Sequence, residues 1–255
     1  MANQIRRFEG QGAIVTGAAQ GIGRAIADRL ASEGANVMAA DLRPAAAKVA
    51  EELSERHGVK VLPFIGDLGQ KAVAQLLIDD TKNALGRIDV LVNNAGGGGV
   101  GPYEEFSEEA IQITFNNNLW AAFRCTEAAL PVMRAQKYGR IVNVTANAVF
   151  GGLTYHAIVN SAKAGVHGLS SGLAAELGTT GITVNTVAPA ITEIEATAEK
   201  LRMKDPPPVL LKAVGRIPMG RAAKMEEVAA AVAFFASPEA SFISGQVLRV
   251  NGGSA

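Results

Sequence analysis

The chain has one cysteine, Cys125, in 255 residues. That excludes an intrachain disulfide and any metal site built on several thiolates, and a reducing compartment, the cytoplasm, is the expectation. Aromatic residues make up only 5%. Neither sign of charge is in excess, with 24 Lys and Arg against 24 Asp and Glu. A nucleic-acid binder normally carries excess base, and an acidic disordered chain excess carboxylate, so both classes are disfavoured. No apolar run approaches the roughly 18–20 residues of a membrane helix; the longest lies around Ala229 to Ala236. The opening MANQIRRFEGQ has no apolar stretch behind its basic pair and does not read as a signal peptide. What is present, 48% apolar residues and 28 glycines, fits an Ala/Gly/Val-rich α/β protein large enough to bury a core.

Short β-branched runs alternate with longer Ala-rich segments of helical period, the pattern of repeated βαβ units on a parallel sheet. Strands are expected at Gly12 to Thr16, Asn36 to Ala40, Lys60 to Ile65, Ile88 to Asn93, Arg140 to Thr145, Ile182 to Val187 and Gln246 to Val250. Helices are expected at Ile22 to Ser32, Pro44 to His57, Ala72 to Leu85, Glu108 to Ala135, Val159 to Leu177 and Met225 to Ala236. The fold class is therefore α/β, a Rossmann-type doubly wound parallel sheet with helices on both faces, in one dinucleotide-binding domain spanning 1–255. One compositional break, residues 191–219, holds Glu193, Glu195 and the run Pro206-Pro207-Pro208. It follows the sixth strand, at the sheet edge where open α/β folds bind ligands, and is expected to be a substrate lid.

Thr16-Gly17-Ala18-Ala19-Gln20-Gly21-Ile22-Gly23 joins the first strand to the first helix. Glycines there permit a tight turn, and the helix aims free N–H groups and its positive end at an anion, typically a pyrophosphate. Placement between a strand and a helix is what makes the signal specific. Asp41 ends the second strand, 18 residues after Gly23. A carboxylate there hydrogen-bonds ribose hydroxyls and repels a 2′-phosphate. The next residue, Leu42, is no base, and Gln20 is uncharged, so NAD is expected over NADP; Arg43 and Arg24 are the counter-evidence.

These motifs, with Asn93-Asn94-Ala95-Gly96, Asn118, Asn160-Ser-Ala-Lys163-Ala-Gly, Gly181-Ile-Thr-Val-Asn185 and Ser244 to Gly253, identify a resemblance to the short-chain dehydrogenase/reductase family, NAD-preferring type, from about Phe8 to Gly253. The resemblance implies a seven-stranded sheet, a bound nicotinamide dinucleotide (NAD), a homotetramer or homodimer, and hydride transfer to or from a secondary alcohol or ketone. A loose likeness to the family's diol and cyclic-alcohol dehydrogenases extends this to cyclic substrates. By the same resemblance Gly17, Gln20, Gly21, Ile22 and Gly23 hold the diphosphate, Asp41 and Leu42 flank the ribose, and Asp67 and Leu68 hold the adenine. Asn94, Ala95 and Gly96 pass under the adenine ribose, and Lys163 bonds the nicotinamide ribose. Asn118 holds a water of the proton relay. Pro189 precedes Ala190 where the family usually has Gly, and Thr192 takes the carboxamide bond because Ile194 stands at the usual threonine. Taken alone, Lys163 reads as an ordinary helix-surface lysine and Asn118 as a polar helix residue.

The sequence departs from the family where its chemistry is done. The acid/base tyrosine, four residues before the lysine, is replaced by Val159, and the serine thirteen residues earlier by Ala146. Neither side chain has a proton to give. Three readings stay open: a neighbour substitutes, with Tyr155 or His156 as candidates and Thr145 adjoining; the fold serves another task, binding cofactor without ordinary turnover; or the two residues are deliberate replacements in an engineered chain.

Overall fold

The structure, a computed structural model, describes residues 6–254. Its strands and helices alternate: β1 (Gly12–Thr16), α1 (Gly21–Ser32), β2 (Asn36–Asp41), α2 (Ala46–His57), β3 (Val61–Ile65), α3 (Lys71–Leu85), β4 (Val90–Asn93), α4 (Glu108–Phe115), α5 (Ala121–Gln136), β5 (Gly139–Val144), α6 (Ala148–Gly151), α7 (Ala157–Glu176), β6 (Ile182–Pro189), α8 (Glu195–Leu201), α9 (Pro208–Gly215), α10 (Met225–Ala236) and β7 (Val247–Val250). The strands form one seven-stranded sheet in the order β3-β2-β1-β4-β5-β6-β7. Every pairing is parallel.

Both faces of this sheet are covered, which is why its strands read as near-continuous apolar runs. Ala13 and Val15 of β1, Val37 and Ala39 of β2, and Val90 and Val92 of β4 face α1, α2 and α10, meeting Ile26, Leu30, Leu53 and Val232. Their alternates Ile14, Met38 and Leu91 face the opposite layer, meeting Leu77 and Ile78 of α3 and Ala129 and Met133 of α5. Strand order reverses between β1 and β4, so a crevice opens at the carboxyl ends of these two strands.

The single helix expected over Glu108 to Ala135 runs unbroken from Glu108 to Gln136 but is not α-helical throughout. Between α4 and α5, Asn116–Trp120 forms a π-helical turn. Asn118 Nδ2 donates to Thr114 O at 2.8 Å and to Gly97 O at 2.7 Å. A side-chain amide that takes a carbonyl of the preceding turn competes with the backbone ladder and widens it. Residues 191–219 carry α8 and α9, with the proline run placing Pro208 at the start of α9 where its missing N–H is harmless. The short α6 follows β5.

Candidate functional site

The crevice is built first from the turn after β1. Gly17 has φ +69°, and a side-chain carbon there would lie 2.9 Å from Ala95 Cα, so only glycine fits between the two loops. Thr16 ties the loops together, its Oγ1 accepting from Asn94 N–H at 3.0 Å and Ala95 N–H at 2.9 Å. Asn94 Nδ2 returns a bond to Thr16 O at 3.0 Å. Gln20 places no side-chain cap on α1, which leaves first-turn amides at the mouth of a cleft of about 500 Å³. Gly17, Gln20, Gly21, Ile22, Gly23, Asn94, Ala95 and Gly96 all line this cleft.

At one end stands Asp41, buried at the tip of β2. Its Oδ2 accepts Ala19 N–H at 3.0 Å and its Oδ1 accepts Arg43 N–H at 2.9 Å. Burial opposes ionisation, but the Arg43 side chain and these two amides outweigh it and hold the carboxyl below its ordinary value. Arg43 is thereby committed, its Nε 3.1 Å from Asp41 Oδ1, and Arg24 is committed to Glu52 at 2.7 Å. Leu42, Asp67 and Leu68 complete this end. Asp67 Oδ1 accepts from Gly69 N–H at 2.9 Å and from Asn116 Nδ2 at 3.3 Å, an Asx-type closure of the loop after β3.

The other end gathers Asn118, Lys163, Val144, Thr145 and Val159. Lys163, on α7, is not a surface lysine: it is 8% exposed, and its Nζ donates to Val144 O at 3.0 Å. Desolvation pushes its pKa down to about 8. Asn118 is clamped on both sides, its Oδ1 accepting Gly97 N–H at 3.3 Å. Val159 lies one helical turn before Lys163 on the same face, within the lining. Ala146, just past β5, is partly exposed, and its carbonyl accepts Val149 N–H. The hydroxyl nearest to it in sequence, Thr145 Oγ1, is bonded to His167 Nε2 at 2.8 Å. Burial first, and then the Lys163 charge, hold His167 below its ordinary pKa.

Five expected residues are not brought into this lining, Ala146 among them. Tyr155 is 52% exposed, with φ +67°, before α7 begins. Thr192 turns its hydroxyl back onto Ala190 O at 3.0 Å, and Ile194 reaches the cleft in its place. Pro189 ends β6, its carbonyl held by Asn147 N–H at 2.8 Å. His156, the other candidate, bonds Thr154 O. Asn117 lines the cleft without any sequence signal that singles it out. A larger cavity of about 660 Å³ lies between α8 and the start of α10, among Glu193, Glu195, Glu199 and Glu226. It has no glycine turn and no buried lysine. Among the described residues no group of His, Cys, Asp or Glu gathers as a metal site, and no helix is long and apolar enough to cross a membrane.

A family model described as Enoyl-(Acyl carrier protein) reductase matches residues 17–255. The chain is 43% identical over 249 residues to a 2,3-dihydroxy-2,3-dihydro-p-cumate dehydrogenase of Pseudomonas putida, covering 97% of this chain and 95% of the relative. It is 38% identical over 261 residues to a 1,6-dihydroxycyclohexa-2,4-diene-1-carboxylate dehydrogenase of Acinetobacter baylyi, covering 98% of each. Among solved structures, levodione reductase matches with a TM-score of 0.90 at 28% identity, over 97% of this chain and 98% of that one.

Proposed function

The chain belongs to the short-chain dehydrogenase/reductase family, and from that premise we propose that it is an NAD-linked oxidoreductase for a cyclic secondary alcohol of the dihydrodiol kind. The observation that carries the reading is the cleft, whose lining joins a glycine turn, the Asp41 carboxylate and a buried lysine. Family members use a nicotinamide dinucleotide, and these residues fit one. The α1 end, which has no side-chain cap from Gln20, suits a diphosphate, Asp41 suits ribose hydroxyls, and Lys163 has N–H groups left over for the second ribose. Ionised Asp41, with both nearby arginines already paired, supports NAD over NADP. The substrate class is taken from what the two bacterial relatives are named for.

When bound, the dinucleotide supplies or accepts the hydride. The chain's own residues would serve it: Lys163 would anchor the ribose, and Asn118, as in the family, would hold a water of the proton relay. Val159 and Ala146, at the positions of the family's tyrosine and serine, leave the reacting oxygen without the side-chain acid/base that would take its proton in oxidation or return it in reduction. We place residues 191–219 over the cleft as a lid, with Ile194 as its point of entry, on a cytoplasmic homo-oligomer, tetramer or dimer. The test is calorimetric titration with NADH and NADPH, then oxidation of a cyclic cis-diol with NAD. NADH is expected to bind at least about tenfold more tightly than NADPH, the scale of one like-charge clash. No heat from either nucleotide overturns the reading.

A second reading is a cofactor-binding chain without ordinary turnover. The position of Val159 in the lining favours it. Tight NADH binding with no diol oxidation would select it.

A further inference from the structure

Gly21 has neighbours on two sides. One side lines the cofactor cleft. Against the other lies the start of α8: a side-chain carbon on Gly21 would sit 3.3 Å from Ile194 Cγ2 and 3.7 Å from Glu195 Oε2. Glu195 Oε1 accepts a hydrogen bond from Gly21 N–H at 3.3 Å, across 174 residues of chain. Gly21 is the first residue of α1 and has φ +57°, so glycine permits both the turn and the approach. The carboxylate is thus an internal anion seated at the positive end of the helix that faces the cleft.

We propose that Glu195 is an affinity-determining residue of this cleft, its carboxylate competing with a ligand's diphosphate for the first-turn amides of α1. The inference rests on the dinucleotide reading above and goes beyond it. Glu195 directly follows Ile194, which lines the cleft, so the carboxylate and a diphosphate at the glycine turn address the same helix end from two sides. Among the described residues no ion pair includes Glu195, and Arg24, the cation on α1 nearest in sequence to Gly21, is held by Glu52 at 2.7 Å. Its other charged neighbours are mixed, with Arg202 and Lys224 among Glu193, Glu199 and Glu226 on one side and Asp28 and Arg29 on the other. The cleft therefore penalises a ligand for negative charge placed at the turn and is indifferent to its adenosine. Asp41 acts separately, at the ribose end.

The test is calorimetric titration of the full chain with ADP-ribose and with adenosine, for the wild type, Glu195→Gln and Glu195→Ala. Glutamine keeps the size and the acceptor for Gly21 N–H and removes only the charge. Glu195→Gln is expected to bind ADP-ribose about three- to tenfold more tightly at low salt, the size of one like-charge contact in a solvated cleft. Adenosine affinity stays unchanged, and the gain shrinks in about 1 M salt. Glu195→Ala shifts in the same direction. Unchanged or weaker ADP-ribose binding by Glu195→Gln, with wild-type binding intact, overturns this inference alone. An equal gain for adenosine overturns it too, because a loosened cleft and not a removed charge would be responsible. No ADP-ribose binding by any of the three chains overturns the dinucleotide reading and this inference together.

Discussion

Asn118 and Lys163, from the π-helical turn and from α7, close on one point: the place a side-chain carbon on Gly96 would occupy lies 2.6 Å from Asn118 Oδ1 and 2.9 Å from Lys163 Nζ. The missing side chain is what lets an amide and an amine share the end of the cleft. Gly96→Ala forces both aside. It is expected to lower stability by about 1–3 kcal/mol, as overpacking does, and to weaken NADH binding by about tenfold or more through the displaced lysine. Urea unfolding and calorimetry measure the two effects, and wild-type affinity in the variant would contradict the geometry.

Asp41 is held ionised by Arg43 and two amides. Replacing it with serine removes the charge facing a 2′-phosphate and frees Arg43 from its partner. The NADH-over-NADPH preference of Asp41→Ser is expected to fall by about tenfold or more, because like-charge juxtaposition is removed and a cation gained. An unaltered preference ratio would show that discrimination lies elsewhere.

Val159 and Lys163 occupy one face of α7 with the cleft before them. The pair Val159→Tyr and Ala146→Ser restores a phenol able to take the alcohol's proton as hydride leaves, and a second hydroxyl after β5. General acid–base catalysis is worth about 10²- to 10⁴-fold, so kcat for NAD-linked diol oxidation is expected to rise on that scale. If the wild type already turns over rapidly and the pair adds nothing, another group moves the proton.

Burial lowers Lys163 from 10.5 to about 8. Below that value folded and unfolded chains both hold the proton, and the fold bears a desolvated ammonium. Between about 8 and 10.5 the folded chain releases the proton while the unfolded chain keeps it. The unfolded state then binds more protons, so this group makes stability rise with pH across the window. The full effect is at most about 3 kcal/mol, from 1.36 kcal/mol per unit. Lys163→Met is expected to be at least as stable as the wild type at neutral pH, and to lose its lead as pH climbs. Denaturation curves that stay parallel across the window would refute the shift.

The alternation of β1 to β7 with helices was legible in the residues because burial on both faces of a parallel sheet leaves a local, periodic mark. The glycine turn at Gly17–Gly23 was legible for a related reason: tight turns and close approaches need a residue type, and a type is written in the chain. Lys163, by contrast, is singled out only by the family motif and taken alone reads as a surface lysine, since a single charged side chain carries no sign of whether its helix faces water. Asn118 likewise lay in what read as one long helix, and the π-helical turn that aims it depends on Gly97, 21 residues away.

The commitment of Arg43 to Asp41, the exposure of Tyr155 and the seating of Glu195 on Gly21 were beyond any reading of pattern. Each depends on which surfaces meet after the chain has collapsed. Hydrophobic periodicity and turn chemistry act over a few residues and survive in one dimension. A hydrogen bond spanning 174 residues forms only when two elements are held rigidly at one distance, and that distance is set by the sheet between them.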